Sequence, residues 1–140
     1  MTSRKSFVAQ VSAVIDEIRL QLPRDREFFG VAHLMLGGLA VRLDLTFEHL
    51  EDLQLALAGL LERQEGNGEV TLAVRVRDDA IEATVGPFGD SVRAELAGGS
   101  DEMGLRRVLE TVVDGVRVAD RDGDAWVELT KRLQTIGEVH

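Results

Sequence analysis

Three carboxylates at alternate positions, Asp120, Asp122 and Asp124, come nearest in this chain to the spacing of a cation site. A calcium loop of the EF-hand type needs Gly at its sixth position for the sharp turn and Glu at its twelfth as a bidentate ligand. Counted from Asp120 those positions hold Ala125 and Lys131, so the cluster reads as a solvated turn. His33, His49 and His140 have no metal-ligand spacing. The chain has no cysteine, which removes disulfides, thiolate zinc sites and a cysteine nucleophile. It also contains no G-x-S-x-G elbow, no Walker A loop and no dinucleotide fingerprint. What remains is a stripe of Arg26, Gly30, His33 and Gly37 at helical spacing, with Arg42 beyond it. Small side chains on one helix face let another backbone approach closely. The stripe is expected to hold a partner or a second copy, against the plainer reading of a packed or solvated helix face.

The whole chain weighs against nucleic acid as that partner. Sixteen Lys and Arg face 25 Asp and Glu, a net charge of −9 that repels phosphate backbones and anionic lipids. Its 140 residues, 44% hydrophobic and 29% charged, suit one globular domain with its own core. The most apolar window, Val31 to Val41, is shorter than the roughly 18 residues of a membrane span. The first residues carry two basic side chains and only a weak apolar stretch, which is not a signal-peptide pattern. A cytoplasmic protein is expected.

The elements that position these residues follow from periodicity. Residues 1–17 place Phe7, Val8, Val11, Val14 and Ile15 on one face of an expected N-terminal helical extension. Ile18, Leu20 and Leu22 alternate with polar neighbours, a strand ending at Pro23. Asp25 caps a helix over 26–42 that is apolar around most of its circumference and so is expected to be buried on several sides. Thr46 caps a second helix, its apolar positions running from Phe47 to Leu61 until Gly66-Asn67-Gly68. Val70 to Val76 and Ile81 to Val85 alternate around Asp78-Asp79 as a hairpin. From Gly86 to Gly99 the pattern dissolves, leaving at most a short element at 91–96. A third long helix is expected from Ser100 or Asp101, then a hairpin turning at Asp122-Gly123.

Within this order the segment IRLQLPRDREFFGVAHLMLGGLAVRLDLTFEHLEDLQLALAGLLER resembles the opening of the RsbW-like anti-sigma-factor serine kinases, small bacterial members of the GHKL ATPase superfamily. The segments GEVTLAVRVRDDAIEATV and GLRRVLETVVDGVRVADRDGDAWVELTKRL fall where that family has its central strands and its last helix and strands. The resemblance covers about residues 18–133, with 134–140 as a tail. It implies an α+β fold: a two-layer sandwich of a mixed, mainly antiparallel sheet covered on one face by about three long helices, with the N-terminal helix added.

The family's catalytic letters do not carry over. Glu51, Asp52, Leu53, Leu55, Ala56 and Leu57 match its second long helix, but the Glu that the family uses as base falls on Gly59. The Asn that holds magnesium falls on Arg63. Residues four apart share a helix face, so base and metal ligand could have pointed together at a γ-phosphate. Glycine supplies no base, and guanidinium has only donors. Arg63 reads either as a contact for a phosphate or acidic partner or as a solvated end-of-helix cation. Where the family's adenine-binding Asp stands in its Asp-x-Gly-x-Gly box, this chain has Pro87, followed by Gly89. The later phosphate-lining Gly-x-Gly is reduced to Gly104.

These substitutions point to a scaffold without ATP or magnesium: an anti-sigma regulator acting by protein binding. The resemblance implies a homodimer that meets a sigma factor and/or a STAS-type anti-anti-sigma partner. One alternative is an active ATP- and magnesium-dependent serine kinase with a displaced acceptor, for which Asp90, Asp101 and Glu102 are available. Another is a dimerisation or sensory module unrelated to sigma factors.

Overall fold

The computed structural model describes residues 10–14, 17–63, 68–77, 79–98 and 104–133. Six strands form one sheet: β1 (Gln10–Val14), β2 (Glu17–Pro23), β3 (Glu69–Arg77), β4 (Ala80–Phe88), β5 (Gly115–Arg121) and β6 (Asp124–Arg132). Their spatial order is β1-β2-β3-β4-β6-β5, and all five pairings are antiparallel rather than mixed. Four helices, α1 (Phe29–Leu43), α2 (Phe47–Leu61), α3 (Asp90–Gly98) and α4 (Leu105–Val112), join this sheet in an α+β fold.

The core lies where the inward residues of alternating strands meet the helices. Leu20, Leu22, Leu72, Val74, Ile81, Val85, Val127 and Leu129 are buried together with Leu36, Leu57, Leu60, Leu96 and Leu109. Each strand therefore presents its other face away from the helices. Asp25 accepts from Glu27 N–H and starts a 3-10 turn, Arg26–Phe28, that leads into α1. Thr46 accepts from His49 N–H and caps α2. At the last hairpin, Asp122 (φ 54°) and Gly123 (φ 87°) both occupy the left-handed region that a tight primed turn requires.

Three expectations are corrected. Residues 10–14 of the expected N-terminal helix form a strand pairing with β2, because the β-branched Val11 and Val14 suit an extended chain beside an open edge as well as a helix. Residues 1–9, 15–16 and 134–140 lie outside the described residues. The described part of the expected irregular stretch, Gly86 to Gly98, is regular: β4 runs through Phe88 across a register shift, and α3 follows with Val92 and Leu96 buried. Glycine and proline obscured a strand whose pairing with β6 shifts register between Val85 and Phe88. The third long helix, expected from Ser100 or Asp101, begins later and is shorter: α4 runs Leu105–Val112 behind an extended Gly104, while 99–103 lie outside the described residues.

Candidate functional site

Two of the positions read as nucleotide-handling, Gly59 and Arg63, lie on the side of α2 that meets α4 and α3. α2 buries Leu53, Ala56, Leu57, Leu60 and Leu61 at helical spacing, which fixes its rotation on the sheet. Gly59 is thereby turned toward α4, where a Cβ would lie 3.6 Å from Cδ1 of the fully buried Leu105. One turn on, Arg63 Nη1 donates to the Gly59 carbonyl at 3.4 Å. Its Nε and Nη2 donate to the two carboxylate oxygens of Glu95 on α3, at 3.4 and 3.2 Å. The fork of the guanidinium thus closes on one carboxylate and ties α2 to α3. Arg63 is therefore a paired cation rather than a free one, with about one-third of its side chain exposed.

The remaining nucleotide-site positions carry structural duties. Gly89 accepts from Arg93 N–H in the first turn of α3, and Gly104 is the N-cap of α4. The Pro87 carbonyl accepts from Arg24, whose guanidinium lies 5.9 Å from the centroid of Phe88. Asp90 pairs with Arg93 at the surface. Asp101 and Glu102 lie outside the described residues. Asp120 accepts from Arg93 Nη2 at 2.6 Å, and this hydrogen bond raises the pKa of Arg93 above its ordinary value. Among the described residues no three His, Cys, Asp or Glu side chains stand together as a metal site.

The second candidate surface is α1. Leu34 is 77% exposed and Val41 84% exposed, which corrects the expectation that this helix is buried on several sides. Gly30 and Gly38 are exposed on the same line, while His33 and Gly37 are half-buried. The open face is thus Gly30, Leu34, Gly38 and Val41, rotated from the stripe read in the sequence, with Arg26 and Arg42 exposed at its ends. A Cβ at Gly30, Gly37 or Gly38 would meet no atom within 4 Å. The sequence reading missed Glu95 and Leu105 as the groups that meet Arg63 and Gly59. It also took Leu34 and Val41 for core.

No family model matches the chain. Over 139 residues it is 30% identical to the serine-protein kinase RsbW of Bacillus subtilis (strain 168), a match spanning 84% of this chain and 86% of that protein. The chain belongs to the RsbW-like family of anti-sigma factors and serine kinases, on the GHKL scaffold. The serine-protein kinase RsbW of Bacillus velezensis is 28% identical over 144 residues, covering 88% of this chain and 89% of its own. That of Listeria innocua is 31% identical over 87 residues, covering 57% and 55%. In this RsbW-family member no described helix is long and apolar enough to cross a membrane.

Proposed function

We propose that this RsbW-family chain regulates transcription by holding protein partners and has given up ATP binding and phosphoryl transfer. The observation that carries the reading is the pair of groups standing where the family has its base and its magnesium ligand. Gly59, backed by the Leu105 side chain, offers no proton acceptor, and Arg63 is closed onto Glu95. Phosphoryl transfer rests on positioned metal and charge around the phosphates, and a guanidinium cannot ligate a cation. Pro87 adds no carboxylate for an adenine amino group.

On this reading the working surface is α1. An exposed apolar line with open space at its glycines is the shape into which a partner helix packs. Its partners are a sigma factor and/or a STAS-type anti-anti-sigma factor, met by a homodimer in the cytoplasm. Release then comes from competition or concentration, since a chain without phosphoryl transfer cannot switch its partner by phosphorylation.

Calorimetry with Mg²⁺-ATP and Mg²⁺-ADP, backed by thermal unfolding, tests the loss of the nucleotide. A ligand at about a hundred times its Kd adds about 2.7 kcal/mol to native stability. No heat and no rise in midpoint at millimolar nucleotide are expected; micromolar binding would overturn the reading. The second reading, an active serine kinase, is favoured by the likeness to the serine-protein kinases of the two Bacillus species, and the same titration separates the two. Capture of a sigma factor on the immobilised chain then tests the partner.

A further inference from the structure

We infer that the face of the sheet away from the helices is a second docking surface, which takes a carboxylate-bearing segment of a partner protein. The antiparallel register sets the charges in rows. Glu17, Arg75, Glu82 and Thr130 lie abreast across four strands, and Ala73, Thr84, Glu128 and Arg117 form the next row. Ala73, Thr84 and Gly115 keep the floor low, and the result is a concave basin of about 550 Å³. Arg19, Arg75 and Arg77 stand on one bank, and Arg117 and Arg121 on the other.

On a chain of net charge −9 this basin reverses the sign, with five arginines against three glutamates. Glu17 is shared between Arg19 at 3.3 Å and Arg75 at 3.7 Å. Glu128 is shared between Arg117 at 2.7 Å and Arg121 at 3.9 Å, and Glu82 meets Arg77 at 3.4 Å. The glutamate side chains are 21–36% exposed and the arginine side chains 47–78% exposed. The carboxylates therefore sit low and orient guanidiniums that stand above them, each with more donors than its shared glutamate can accept. Trp126 supplies a rigid apolar anchor. Its indole lies against Gly86, where a Cβ would be only 2.6 Å away, and the Arg121 guanidinium lies 4.8 Å from its centroid.

Charge selects the occupant. A phosphate backbone would set its regular charges against the three interspersed glutamates and meet the repulsion of the whole chain. A second copy presenting the same face would bring two arginine-rich basins together. A partner segment with a few spaced carboxylates meets both costs more weakly, because it carries fewer charges than a phosphate backbone and can set them opposite the arginines and between the glutamates. This surface is separate from α1 and does not rest on the loss of nucleotide.

The test uses the full chain, in which Trp126 is the single tryptophan and so reports on this face alone. A short peptide of alternating Glu and Ala is titrated against Trp126 fluorescence at low salt, with a Lys-Ala peptide and oligothymidylate as comparators. A saturable change with the Glu-Ala peptide alone, lost as salt rises, is expected. Changing Arg75 and Arg117 together to Gln should weaken it about tenfold or more, and Arg117→Lys alone should keep most of it, with unfolding midpoints unchanged. No response to the acidic peptide, or an equal response to oligothymidylate, would overturn the inference. So would acrylamide quenching of Trp126 that falls as protein concentration rises, because a second copy would then cover the face.

Discussion

Helices α1 and α2 have the same length, follow one another in the chain and are both rich in leucine, yet they end in opposite situations. α2 buries a continuous line from Leu53 to Leu61, and its outer line is interrupted by Glu48, Glu51 and Glu62 around Leu55. α1 buries Ala32, Leu36, Leu39 and Ala40 but leaves Gly30, Leu34, Gly38 and Val41 on the outside, with no charge among them. The lesson is that an apolar residue count does not separate core from interface. A helix that needs only solvent on its outer side carries acids there, whereas an uncharged outer line costs solubility and marks a surface meant to be covered.

The sharpest way to break the contrast is to attack the buried side of α2. Leu60→Ala removes a fully buried side chain from the core side of α2 and should cost about 2–5 kcal/mol in urea unfolding. A cost below about 1 kcal/mol would mean that α2 is not anchored as described. Thr46→Ala deletes the α2 cap and should cost about 1 kcal/mol by the same measurement. Arg63→Gln breaks the pair with Glu95, each side chain about one-third exposed, and is expected to cost less than about 1 kcal/mol. It should also create no nucleotide affinity in calorimetry, since Pro87 still offers no carboxylate for an adenine amino group.

The outer line of α1 should respond in the opposite sense. Leu34→Ser and Val41→Ser are expected to move stability by no more than about 0.5 kcal/mol. Each should nevertheless weaken association in sedimentation and in partner capture. Gly30→Phe has room for its side chain on the isolated protomer and should keep the circular dichroism while blocking the same contacts. Association that survives all three changes would remove α1 as the docking face and leave its exposed apolar residues without a role.

Much of this molecule was legible because its signals are local. Asp25 and Thr46 announce helix starts through the hydrogen bonds that short polar side chains make to free N–H groups. Asp122-Gly123 announces a hairpin because both positions need positive φ. The alternation at Val70–Val76 gives a strand with one apolar face. The same reasoning failed where the signal was ambiguous: Val11 and Val14 fit a helix by spacing and a strand by β-branching, and the glycines and Pro87 hid the end of β4 and the helix behind it.

The sequence by itself determined the α+β order and the family, since each is carried by residue type and near-neighbour spacing, and it singled out Gly59, Arg63 and Pro87 as the positions on which the proposed function rests. Only the tertiary structure decided what meets those positions. The Glu95 carboxylate lies 32 residues from Arg63, and no periodicity links them. The exposed line of α1 had to wait as well, because a helix apolar on nearly every side has no preferred rotation until a sheet takes one face of it. The arginine basin has the same origin: five cations scattered over three strands become one surface only when β2, β3 and β5 are laid into a single sheet.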